Sequence, residues 1–181
     1  MRSVLASFLL VLSLTAGVCS LALAKPPSKP APQPQPRLAD LISCRGTMQD
    51  WRDLAGAYHD PAIQASWGWR AVKVGDGLLE AIALRDPIVV FGEKVARVAF
   101  SGSGVVALLQ HKTLQALVKE LKLEPVVQGQ AARIFGKTVQ STTEKLGDGT
   151  LKTTISLSVS TSESYPGLVL AGCSYEVAMD P

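Results

Sequence analysis

The sequence contains no asparagine and two histidines, His59 and His111. Without asparagine there is no acceptor for N-linked glycosylation, and tight turns must be built from glycine and aspartate. With two histidines, metal and acid–base schemes narrow at once. No second ligand stands three or four positions from His111, and no cysteine–histidine spacing of a zinc site occurs. His59 stands before Asp60-Pro61 and reads as a helix end, where an imidazolium is favoured by the helix dipole. Nucleophile and phosphate motifs are missing too. Ser101 and Ser103 lie among glycines, but neither has glycine at both −2 and +2, and no phosphate-cradling glycine loop is present. Charge of one sign is also scarce: 18 basic against 15 acidic residues leave a net +3. Bulk electrostatics therefore favour neither nucleic acid nor an anionic membrane as partner.

What is present begins with a leader. Residues 1–24 hold 17 apolar residues and a single charge, Arg2, and end in Ala22-Leu23-Ala24. This is the pattern of a signal peptide cleaved after Ala24. Two other fates would keep the chain at a membrane: retention of the 22 uncharged positions 3–24 as an anchor, or lipid attachment at Cys19. The bulky Val18 fits lipoprotein processing poorly, and the A-x-A site favours cleavage. Six of the eleven prolines follow within residues 25–36, where no apolar period drives burial. Such a segment prefers extended polyproline II and forms a linker of roughly 37 Å. Linker and remainder together hold 17 basic and 15 acidic residues, and residues 37–181 form one domain.

Cleavage would discard Cys19 and leave Cys44 and Cys173. An even count in an exported chain reads as one disulfide, here tying the start of the domain to its end. No Cys-x-x-Cys pair suggests thiol redox chemistry.

Periodicity predicts an α+β fold: an antiparallel sheet of seven or eight strands packed with two or three helices and closed by that disulfide. Thr47 caps a helix over 48–58 with Trp51, Leu54 and Ala55 on one face. Pro61 ends it, and a short helix over 62–66 follows. The clearest amphipathic helix spans 113–123, with Leu114, Leu117, Val118 and Leu121 at helical spacing. Strands are expected over 71–74, 78–84, 88–91, 95–100, 105–109, 133–146, 151–160 and 168–179. Gly75-Asp76-Gly77 and Gly147-Asp148-Gly149 supply hairpin turns. Residues 73–80 and 145–152 resemble each other, as two hairpins reusing one turn chemistry do. In the last strand Val169, Ala171, Cys173, Tyr175, Val177 and Met179 share a face, which points Cys173 inward.

Two segments stand out as binding candidates. Trp67-Gly68-Trp69 places two indoles about a glycine, either as interface anchors or as filling between helices and sheet. Ser101, Gly102, Ser103 and Gly104 form a small-residue turn. This turn resembles the SGSG loop of the periplasmic inhibitors of C-type lysozyme, over four residues. Those inhibitors carry a tyrosine three positions later, where Ala107 stands here, and their small β-barrels lack the helices expected above. The resemblance implies entry of the serine-bearing loop into a hydrolase cleft.

With no catalytic motif, no cofactor motif and no metal spacing, the chain reads as a non-enzymatic, exported protein-binding module. It would work in the periplasm on a protein partner at the cell envelope. Two alternatives stand beside this: inhibition of a lysozyme-type cell-wall hydrolase through residues 101–104, and an envelope hydrolase whose carboxylates meet only in space.

Overall fold

The computed structural model describes residues 37–76 and 79–180. The expected leader with its cleavage site after Ala24, Cys19 and the linker over 25–36 lie outside those residues, as does Gly77 of the first predicted turn. The described chain runs α1 (Leu38–Ile42), α2 (Met48–Tyr58), α3 (Pro61–Ser66), β1 (Arg70–Val72), β2 (Glu80–Val90), β3 (Glu93–Ser101) and β4 (Gly104–Leu109). It continues through α4 (Leu114–Leu121), β5 (Glu124–Gln128), β6 (Ala132–Leu146), β7 (Gly149–Ser162) and β8 (Val169–Asp180).

All eight strands form one antiparallel sheet in the order β1-β2-β3-β4-β8-β7-β6-β5. Two four-stranded meanders, joined through α4, meet where β4 pairs with β8, with Val105 opposite Cys173. This central position explains why β4 is buried on both faces and reads as a nearly unbroken apolar run, Gly-Val-Val-Ala-Leu-Leu. On one face Ile82, Val98, Phe100, Val105, Leu109, Leu157, Val159 and Tyr175 pack with α1, α2 and α4 into the main core. On the other, Ala81, Ala99, Leu108 and Leu170 form a smaller cluster under Val74 and Tyr165, which come from the loops at 73–79 and 163–168. The loops meet at Gly75, where φ is +61° and an added Cβ would lie 2.0 Å from the Ser164 carbonyl oxygen.

The α+β class and the disulfide hold. The sheet dominates, however, and the helices number four short ones among the described residues rather than two or three. α1 is five residues long, too short for any apolar period to reveal. β5 is an additional edge strand whose Pro125 masked it; proline is tolerated there beside an irregularity between Pro125 and Val127. The strands expected at 78–84 and 88–91 are one strand, β2, interrupted by an irregularity between Ala83 and Ile88 that contains Pro87.

The bond between Cys44 and Cys173 spans 129 positions, with Cα atoms 5.3 Å apart. α1 ends in a Schellman turn: the Cys44 N–H donates to the Leu41 carbonyl and the Arg45 N–H to the Asp40 carbonyl. The left-handed position is usually glycine, but here Cys44 occupies it at φ +56°. The residue needed for the covalent tie thus takes the place that backbone sterics reserve for glycine.

Candidate functional site

The chain places an aromatic cleft where β3 turns into β4. α2 begins at Thr47, whose hydroxyl accepts from the Asp50 N–H at 3.1 Å while the Asp50 carboxylate accepts from the Thr47 N–H at 2.8 Å. The hydrogen bonds from the Thr47 side chain and backbone hold the Asp50 carboxyl below its usual pKa. From this start, Trp51, Leu54 and Tyr58 fall on the buried face at helical spacing. Trp51 stacks on Tyr175, with ring centroids 5.5 Å apart and planes 6° from parallel. The Tyr175 hydroxyl donates to the Leu41 carbonyl at 2.9 Å, and burial pushes that phenol's pKa up.

Two turns beyond Trp51, Tyr58 lies over Phe100 with centroids 3.9 Å apart, and the His59 ring meets its edge at 4.8 Å. The Tyr58 hydroxyl donates to Glu80 Oε2 at 2.5 Å. Burial first, and then the Glu80 carboxylate, raise the Tyr58 pKa above its usual value. Trp51, Tyr58, His59, Glu80, Phe100, Ser101, Gly102 and Tyr165 line a cleft of about 630 Å³, of which Ser101 and Gly102 are exposed and Tyr165 is buried. Tyr58, Leu79 and Glu80 also line a neighbouring hollow of about 460 Å³. The cleft therefore combines aromatic walls with a single carboxylate, Glu80.

Ser101 and Gly104 pair as the last rung of the β3–β4 hairpin, leaving Gly102-Ser103 as a two-residue tip. Gly102 has φ +54° and Ser103 is not in the left-handed region, the pattern of a type II′ turn that suits the twist of paired strands. The Tyr175 N–H donates to the Ser103 carbonyl at 2.9 Å and ties the tip to β8. Ser101 and Gly102 are exposed, Ser103 is half-buried and Gly104 is buried. Only the first two of the four candidate residues border the cleft.

Trp67 and Trp69 are 5% and 3% exposed and belong to the main core, their rings 4.6 Å apart. Their spacing is explained by the end of α3. The Gly68 N–H donates to the Ala65 carbonyl, the Trp69 N–H donates to the Gln64 carbonyl, and Gly68 adopts φ +71°. Gly68 is thus the glycine of a Schellman stop, and Trp69 is the hydrophobic residue that commonly buries just beyond one. His111 follows β4, where its backbone N–H donates to the buried Glu93 carboxylate. Among the described residues no group of three His, Cys, Asp or Glu side chains is placed to hold a metal ion.

Nothing in the linear sequence groups Tyr58, His59 and Glu80. The first two end a helix and the third opens a strand 22 positions from Tyr58, so only the tertiary fold joins them. The one local sign was His59-Asp60-Pro61, which marked the helix end that carries them. The architecture is an open, disulfide-closed antiparallel sheet carrying an aromatic cleft beneath a hairpin tip. No protein-family model matches the chain, and neither a curated protein nor a solved structure matches it significantly.

Proposed function

We propose that this is an exported, non-enzymatic domain, processed after Ala24 and carried on the linker over 25–36. It binds a protein partner at the cell envelope through the cleft below the β3–β4 tip. The observation that carries this reading is the exposed pair Ser101-Gly102 at the rim of an aromatic cleft holding one carboxylate. Aromatic faces and a carboxylate together suit a lysine or arginine side chain presented by the partner, through charge and cation–π attraction. A lone carboxylate supports binding over glycosidic hydrolysis, which uses two facing carboxyl groups. Export is supported by the leader pattern and by the Cys44–Cys173 bond, since disulfides persist in oxidising compartments. No described helix is long and apolar enough to cross a membrane.

The test is a photo-crosslinking residue at Ser101 in living cells, with a second at exposed Lys152 as control. A discrete adduct formed from position 101 and lost on Glu80→Gln is expected. Failure to trap anything at 101, or equal trapping at both positions, defeats the proposal. N-terminal sequencing of the mature chain should begin at Lys25.

A second reading, inhibition of a lysozyme-type hydrolase, is favoured by one observation: the SGSG segment forms a hairpin turn whose first half, Ser101-Gly102, is exposed. Lytic assays against C-type, G-type and I-type enzymes with the protein in excess decide it, and undiminished lysis removes it.

A further inference from the structure

We propose that the protein self-associates into a two-fold dimer by pairing the open edge of β6 with the same edge of a second copy. β6 is the longest strand, but β5 covers only its start, pairing Gln128 with Arg133 at one end and Glu124 with Gly136 at the other. Residues 137–146 have β7 on one side and, among the described residues, no strand on the other. All ten are exposed. An open edge presents unpaired backbone donors and acceptors, and natural sheets blunt such edges with lysines, prolines, bulges or covering segments. The irregularity between Thr138 and Gln140 and the lysine at 145 guard the two ends of this one. Between them Gln140-Ser141-Thr142-Thr143-Glu144 carries no lysine, proline or bulge.

The face beside this edge is also incomplete. The row Thr142, Thr153 and Val177 and the row Glu144, Leu151 and Met179 continue the face that carries Tyr175. Val177 and Met179 are nevertheless 46% and 69% exposed. The apolar alternation of β8 therefore runs on past the point where the core ends.

The sequence of the edge favours a second copy as occupant. A two-fold axis perpendicular to the sheet keeps each face on its own side, so opposed residues must share a face. Centred on Thr142, the pairing sets Gln140 opposite Glu144 twice and Ser141 opposite Thr143 twice, with Thr142 opposite itself. Within residues 140–144 every pair is then hydroxyl with hydroxyl or amide with carboxylate, which cross-strand neighbours favour. Centring on Glu144 would instead oppose two carboxylates. The Thr142 register keeps the apolar ends at Val177 and Met179 on one face of a continuous sixteen-stranded sheet.

Sedimentation equilibrium of the protein as its cells process it, from micromolar to near-millimolar concentration, should show a monomer–dimer equilibrium. Thr142→Lys opposes two ammonium groups at the axis and should weaken the dimer by roughly tenfold or more. At the lowest concentrations, where both proteins are monomers, its melting temperature should match the wild type's, because Thr142 is exposed. Under mild oxidation Thr142→Cys should cross-link to itself. Gln140→Cys should not, but should cross-link when mixed with Glu144→Cys. A monomer at every concentration, a dimer indifferent to Thr142→Lys, or cross-linking of Gln140→Cys to itself would overturn the proposal.

Discussion

Tyr58 and Tyr175 keep their protons for related reasons. Each phenol is withdrawn from water, and Tyr58 additionally donates to the Glu80 carboxylate. A folded-state pKa raised above the usual 10.0 means that the stabilisation is complete below that pH. It is lost as pH rises through the folded-state value, because the unfolded chain releases its phenolic protons first. Native phenolate absorbance should accordingly show these two groups ionising only beyond the usual tyrosine range, together with alkaline unfolding, and Tyr58→Phe should remove one of them. Glu80→Gln should lower the Tyr58 transition yet leave it above the usual value, because burial is the larger cause. Cys44 makes a different demand, since a side chain at φ +56° costs roughly 1–2 kcal/mol relative to the right-handed region. With Cys173→Ser in both, Cys44→Gly should therefore melt higher than Cys44→Ala by a difference worth about 1 kcal/mol. Denaturant titrations of the two double variants measure it.

The elements owe their limits to local chemistry and their positions to the sheet. Thr47 and Asp50 start α2, Asp60 caps α3 through the Ala62 N–H, and the Schellman glycine Gly68 stops it. Of these signals Thr47 and Pro61 were read from the sequence, and α2 lies at 48–58 as they place it, while α3 starts at Pro61, one position before the expected 62–66, and the roles of Asp60 and Gly68 emerged only in the fold. The strands of the C-terminal meander were readable as well, because β7 alternates Ile155, Leu157 and Val159 inward with serines and threonines outward. β5 was not, since a five-residue strand with every side chain exposed carries no alternation to detect. The two glycine–aspartate turns likewise diverge. Gly147-Asp148 is a two-residue tip, whereas between β1 and β2 Val74 and Leu79 pack on the second core instead of forming a tight turn. The β4–β8 seam yields a sharp expectation. A Cβ at Gly172 would lie 2.1 Å from the Val105 carbonyl oxygen and 2.6 Å from the Val106 Cα, both backbone. Gly172→Ala should destabilise by roughly 1–3 kcal/mol in urea unfolding, because the two central strands must separate to admit it.

Across the molecule, β4–β8 is the seam on which both meanders depend, and the disulfide spans the same place. Cys173 lies opposite Val105 and Leu157, while Cys44 brings α1 against this centre. Closing a loop of this length stabilises by up to about 4–5 kcal/mol in the chain-entropy account. Cys173→Ser, or reductant added to the wild type, should therefore lower the melting temperature markedly in calorimetry. A wild type unmoved by reductant would mean that the tie contributes nothing.

The linear chain was enough to set the class of fold, the pairing of Cys44 with Cys173, most strand periods and the limits of the helix over 48–58. Each of these depends on residues near one another or, for the cysteines, on a count that permits one pairing once Cys19 is set aside. The aromatic cleft, the burial of both tryptophans and the open edge of β6 were settled only by folding. They depend on which strand lies beside which, and a strand's own sequence records its alternation but not its neighbour. Glu80 and Tyr58 become a pair only because β2 passes under the end of α2. Residues 137–146 become an edge because β5 is only five residues long and pairs with no position of β6 beyond Gly136.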